Sequence, residues 1–339
     1  MDSKERVIRT LKFKNPDKIP VDLWTLPATY LKYGKAFEDM LSRHERDIVS
    51  FDGPFDLSHD QKTYQPGRFT DGWGSEWMVL QAGMVGEVKK AVFAGTGAEA
   101  LRAYAPPVEA FKVQWAEYMP RLDAKIKEAR GKGKFIIGGW ISLFERMQFL
   151  RGPENLYRDL GLQDEEIYII KDIVMEFFRE YLKAWLNADV DAIAFGDDWG
   201  SQRALLISPN IWRSFFKPLY KELFDMIKDK GKYIFFHSDG YIMDLCPEFI
   251  EMGVSAVNSQ LWCMGVENVA ERFAGKITFW GEISRQDILP HGTPEDIRKT
   301  AEKMKKYLFV NGGGLIGQSE VGKDVPLENI EAVLTCWNE

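Results

Sequence analysis

Eight short runs of β-branched and aromatic residues, each leading into a helical pattern, constrain this chain more than any other feature. They are IPVDLW (19–24), DIVSFDG (47–53), KFIIGGW (134–140), AIAFGDD (192–198), YIFFHSD (233–239), SAVNSQ (255–260), ITFWGEI (277–283) and GLIGQSE (314–320). Strand–helix alternation implies parallel strands joined by helical crossovers, and eight is the number that closes a (β/α)8, or TIM, barrel. The expected fold is therefore an α/β TIM barrel over 1–339 as a single domain. The 339 residues fit one large barrel, and no linker, internal repeat or shift in composition marks a boundary. Residues 165–188 and 210–231 have apolar positions at helical spacing, the second with Ser208 ahead of Pro209 as a cap and Gly231 as a stop. The interval between the second and third strands is too long for one crossover. Its stretch FTDGWGSEWMVLQAGMVGEVKKAVF (69–93) reads as an inserted hairpin, followed by a helical excursion at 107–133, together forming a rim or lid.

Charge and composition remove several functional classes. Acidic residues outnumber basic ones 51 to 44 and no Lys/Arg run occurs, so a phosphate backbone has no electrostatic footprint to meet and nucleic acid is not an expected partner. No run of about 18 apolar residues exists to cross a membrane. The start MDSKERVIRT lacks an apolar core, which points to a cytoplasmic protein. Cys246, Cys263 and Cys336 are widely spaced, so reduced, packed thiols are expected rather than disulfides or a thiolate zinc site. Aromatic residues make up 13% of the chain, and an aromatic-lined cavity is one use for them.

In a parallel barrel the carboxyl ends of the strands form the functional mouth. The residues there are Trp24, Trp140, Asp197, Asp198, Trp199, His237, Asp239, Asn258, Gln260, Glu282, Gln318 and Glu320, whereas the strand interiors are apolar. Two adjacent acids in AFGDDWGSQ cannot both enter one dry pocket without a raised pKa, so at least one is expected to be solvated or paired and one to be catalytic or substrate-binding; the alternative is that Asp197 and Asp198 only cap the next helix or bind Arg203. Trp199 and Gln202 then offer a wall and an amide. His237, with Asp239 two residues on, is a pair able to move protons or to bind a metal. His44, His59 and His291 lack such settings and are expected on loops or the surface. NGGGLIG (311–317) has its glycines before a strand, so it reads as a turn rather than a phosphate loop.

Several stretches resemble the uroporphyrinogen decarboxylase superfamily: ERVIRTLKFKNPDKIPVDLW, DGWGSEW, GDDWGSQRALLISPNIWRSFFKPLYK, FFHSDGYI, PEFIEMGVSAVNSQ, TFWGEISRQDILPHGTPEDIRK and DVPLENIEAV. The resemblance implies a (β/α)8 barrel with its active site in the mouth. The decarboxylase itself grips an eight-carboxylate tetrapyrrole with an arginine-rich amino-terminal segment; here that segment reads VDLWTLPATYLKYG, which supplies no such counter-charge. The other branch resembles cobalamin-dependent methyltransferases, which exchange methyl groups with a separate corrinoid protein. Thiol-activating members carry zinc on a His-x-Cys pair and a later Cys. The matching positions here read His237, Ser238, Asp239 and then Gln318, Ser319, Glu320, so a zinc site lacks its expected thiolates.

The branch this leaves resembles the first methyltransferase of anaerobic O-demethylases, which takes methyl from guaiacol-, vanillate- or veratrole-type ethers. The resemblance implies an enzyme with two partners, a corrinoid protein carrying cobalamin and a small aromatic methyl ether. A phenolate is a poor leaving group, so an acid or Lewis acid must meet the ether oxygen. His237, Asp239, Asp197 and Asp198 are the expected catalytic groups. Trp24, Trp140, Trp199, Gln202, Asn258, Gln260, Glu282 and Glu320 are the expected substrate contacts, with Trp73 and Trp77 as further walls. The rivals are a decarboxylase of a smaller substrate and a non-catalytic barrel that binds an aromatic ligand.

Overall fold

The computed structural model describes residues 1–54 and 61–338; His59 lies outside the described residues. The chain first forms β1 (Trp24–Thr25) and β2 (Ile48–Phe51), then an excursion of β3 (Gly67–Thr70), β4 (Glu76–Val79) and β5 (Glu87–Lys90). It returns through β6 (Phe135–Ile141), β7 (Ala192–Gly196), β8 (Tyr233–Ser238), β9 (Ala256–Ser259), β10 (Thr278–Trp280), β11 (Leu315–Ile316) and β12 (Glu320–Val321). Seven strands make one parallel sheet in the order β11-β10-β9-β8-β7-β6-β2.

The remaining barrel position is filled by the first run. Asp22 N donates to Gly317 O at 3.0 Å and Trp24 N to Ser319 O at 3.0 Å, and β1 pairs with β12 in parallel. On its other side Asp47 N donates to Val21 O at 2.7 Å, and the Asp47 carboxylate accepts from Val21 N at 2.8 Å. The chain is thus a (β/α)8 barrel, with all eight expected runs in the wall. The last run is divided at Gln318 and Ser319 into β11 and β12.

Period-two alternation sorts side chains into two cores. Ile48, Phe135, Ile137, Ala192, Ala194, Phe235, Ala256, Trp280 and Ile316 fill the barrel, and Val7 and Leu11 of the amino-terminal helix Ser3–Leu11 join them. That helix closes the bottom, since Lys4 N bonds Gly133 O just ahead of β6. The alternate positions Ile193, Phe195, Ile234, Phe236, Val257 and Phe279 face outward, into the layer shared with helix Glu165–Leu186 and helix Lys217–Asp229. Each such fully buried Ile, Val or Phe stabilises the fold by roughly 1.5–3 kcal/mol. Ser208 Oγ accepts from Asn210 N at 3.2 Å, as its place before Pro209 implies, and the helix it opens passes through a π turn at Trp212–Phe216.

The excursion is a three-stranded antiparallel sheet, one strand more than a hairpin, followed by helix Val108–Gly131. Asp71 organises its turn: one carboxylate oxygen accepts from Trp73 N and Ser75 N at 3.0 and 2.9 Å, the other from Trp77 Nε1 at 3.0 Å. Trp73 and Trp77 are therefore buried in the excursion, against Phe177 and Phe149 respectively, and do not wall the mouth. Its loop sits on helix Pro27–Tyr33, where Ala28 N donates to Gly83 O at 3.1 Å; that helix follows β1, so the excursion is part of the rim. No helix among the described residues is long and apolar enough to cross a membrane.

Candidate active site

The alternation that builds the cores also decides which strand-end residues reach the mouth. On β8, Tyr233 and Phe235 point inward, so His237 and then Asp239 do as well. On β7, Ala192, Ala194 and Gly196 point inward, which brings Asp198 to the same side and sends Asp197 to the other. Trp140 would face outward in a regular strand. A register shift between Gly138 and Trp140, with Gly139 at φ +72°, turns it in. Gly196 then makes room: a Cβ there would stand 1.9 Å from the Trp140 ring.

His237 sits between two indoles, its ring centroid 5.4 Å from that of Trp24 and 5.9 Å from that of Trp140. Beneath them Trp24 meets Trp280 edge-on at 4.6 Å, and Trp280 Nε1 donates to buried Asp22 at 3.0 Å. Asn258 fixes the imidazole. Its Nδ2 donates to Trp280 O at 2.6 Å and to Gln318 Oε1 at 2.8 Å, so its Oδ1 accepts, and His237 Nδ1, 2.6 Å away, must carry a proton. His237 Nε2 faces Asp198 Oδ1 at 3.5 Å and Asp239 Oδ1 at 3.7 Å. Burial would lower the imidazole pKa, but the Asp198 and Asp239 carboxylates, aided by Asn258, outweigh it and lift it to about 10. Asp198 shows the converse: burial works to raise its carboxyl, yet His237 holds it below the usual range.

Two residues at the mouth were missed in the sequence. Arg285 is the hub of the other half of the mouth: Nε donates to Glu282 at 3.0 Å, Nη1 to Glu320 at 2.6 Å, and Nη2 to Asp239. Burial raises the Glu282 carboxyl to about 8 despite Arg285, and its Oε2 has no hydrogen-bond partner among the described residues. Glu145, in the first turn of helix Phe144–Arg151, has its carboxyl pushed well up, by burial and then by the charges of Asp198 and Asp197. Arg285 lies three residues after Glu282 within EISRQ, and that spacing was the available signal. Glu145 carries none beyond following a strand end.

Other expected residues take different places. Gln202 Nε2 donates to Gln260 Oε1, a bridge between the loops after β7 and β9. Cys263 Sγ donates to Gln260 O at 3.0 Å, and burial raises its thiol. Asp197 does not join His237. It is wholly buried and accepts from Leu143 N and Glu145 N, both at 2.8 Å, and from the Tyr220 hydroxyl, so it ties the start of helix Phe144–Arg151 to β7. Trp199 is wholly buried as well, stacked on Phe144 at 4.2 Å and edge-on to Phe216, in the layer outside the barrel instead of the pocket wall. His44 pairs with Glu331 at 2.9 Å, away from the mouth.

Comparison with known proteins agrees with this architecture. No curated protein matches the sequence. Among solved structures, a methyltransferase from Methanosarcina mazei superposes with a TM-score of 0.73 at 18% identity, covering 99% of this chain and 98% of that one. An IOLI protein with a bound zinc atom reaches 0.43 at 11% identity, covering 93% and 94%, too low to carry an argument. The family profile described as uroporphyrinogen decarboxylase (URO-D) matches residues 77–339, from β4 through the last barrel strand and beyond. With the barrel closed and most of the chain matched by that profile, the protein belongs to the uroporphyrinogen decarboxylase family.

Proposed function

We propose that this chain transfers a methyl group from an aryl methyl ether to a separate corrinoid protein. One observation carries this: an imidazole held between two carboxylates and two indoles at the open end of the barrel. An ether oxygen leaving as phenolate needs a proton, and a phenol has a pKa of about 10. An imidazolium raised to about 10 is matched to it and stays charged at neutral pH. A donor that leaves as a neutral amine has no use for such an acid. The M. mazei methyltransferase with the same fold is in keeping with this chemistry.

The residues divide the work. Trp24 and Trp140 hold the ring, each contact adding about 0.5–1.5 kcal/mol beyond area burial. Asn258 fixes the tautomer of His237 so that Nε2 is the nitrogen that delivers the proton to the aryl oxygen. Asp198 and Asp239 keep that proton on Nε2 until the phenolate, a base of matched strength, forms beside it. Arg285 holds Asp239 in place through its guanidinium. The corrinoid, carried by its own protein, would supply Co(I) as the nucleophile that takes the methyl group. Asp198, His237 and Asp239 each offer a donor atom, and these lie within 4.8 Å of one another, so they also fit a divalent cation such as zinc. Held there on a neutral imidazole, zinc would serve as a Lewis acid at the ether oxygen. An eight-carboxylate tetrapyrrole is poorly served, since Arg285 already faces three carboxylates.

The test mixes the protein with a reduced corrinoid protein and methoxyphenols. The expected result is decay of the Co(I) absorption band with one demethylated phenol released per cobalt. A band that persists across guaiacol, vanillate and veratrole would contradict the proposal, and carbon dioxide release without a corrinoid would establish a decarboxylase in its place.

A further inference from the structure

The cations that face the mouth among the described residues are already engaged. Arg285 directs each of its three nitrogens at a different carboxylate, Glu282, Glu320 or Asp239. His237 turns Nδ1 to Asn258 and Nε2 toward Asp198 and Asp239. With Glu145 added, five carboxyl groups surround two cations, and acids still outnumber bases if the two most buried, Glu145 and Glu282, are neutral. Arg203, on the loop after β7, is solvent-exposed, where an ion pair contributes little.

We infer that the mouth selects an uncharged methoxyarene and turns away one that carries a ring carboxylate; this rests on the ether-demethylation reading above. A carboxylate entering the mouth loses its water, and the cations it meets are already committed to acids. It would also face the acidic lining at close range, and like charge at an interface is rejected. A neutral ring loses nothing of this kind. It packs on Trp24 and Trp140, and its ether oxygen needs only the proton of His237. Guaiacol and veratrole therefore fit, and vanillate, which is guaiacol with one added carboxylate, does not.

Direct binding tests this without the corrinoid. Calorimetric titration of the intact protein with guaiacol and with vanillate should give a dissociation constant at least about tenfold lower for guaiacol. Glu320→Gln removes one acid from the mouth and one counter-charge from Arg285 while keeping an oxygen that can accept from it, so it should shrink the ratio of the two constants; its circular dichroism spectrum is checked against the parent. Equal or tighter binding of vanillate by the parent protein, above all if Arg203→Ala weakens it, would overturn the inference. So would binding of neither ligand, or a ratio left unchanged by Glu320→Gln. Methyl transfer is assayed on the same preparation. Its absence with both ligands, while the binding gap stands, contradicts ether demethylation and leaves the charge selectivity in place.

Discussion

Replacing His237 by alanine is expected to slow methyl transfer from a methoxyphenol by about 10²–10⁴-fold, the usual contribution of a positioned general acid. The loss should fall on kcat. On the proposed reading Trp24 and Trp140 hold the aryl ring, and both indoles remain when the imidazole is gone, so ligand affinity should change far less than turnover. Some stability should be lost as well, since alanine leaves the buried Asn258 Oδ1 without its donor at a cost of about 1–3 kcal/mol, so turnover is compared on protein whose circular dichroism spectrum matches the parent. A rising rate with more acidic leaving groups should partly restore the variant, since a nitrophenolate departs without a proton. A variant as active as the parent on guaiacol would remove His237 from the chemistry.

Asp197→Ala should behave in the opposite way, as a stability lesion. Its carboxylate accepts from two backbone N–H groups and the Tyr220 hydroxyl in a site without solvent, and alanine leaves all three unpaired. Each unsatisfied buried donor costs about 1–3 kcal/mol, so the whole is on the order of 4 kcal/mol. With an unfolding entropy of about 2.1 cal/mol/K per residue, that lowers the melting temperature by about 6 °C. Scanning calorimetry measures it. A variant that melts with the parent yet has lost turnover would return Asp197 to the catalytic list.

This contrast between neighbours shows what was legible in the sequence. The eight strand runs could be read because both faces of a parallel sheet are buried, which leaves near-continuous apolar segments. The mouth could be read because polar residues and indoles gather where those segments end. Which acid of the pair turns inward was also available, by counting in twos from Ala192. That count fails on β6, where Gly138 and Gly139 shift the register and bring Trp140 in against the simple alternation. Paired glycines inside a strand are the visible mark of such a bulge. Trp73, Trp77 and Trp199 misled because residue type alone does not separate a pocket wall from a packing ring; their partners lie on other elements. Arg285 was hidden for the same reason, as two of its three carboxylates are at least 35 residues away in the chain.

The most direct test concerns the proton on His237. With four histidines in the chain, nitrogen NMR of ¹⁵N-histidine-labelled, metal-free protein can resolve this one, assigned through His237→Ala. Both ring nitrogens should be protonated at pH 8, with Nε2 losing its proton only as the pH nears about 10. An Nε2 already bare at pH 8, titrating near the ordinary histidine value of about 6.5, would contradict the account of a poised acid between Asp198 and Asp239.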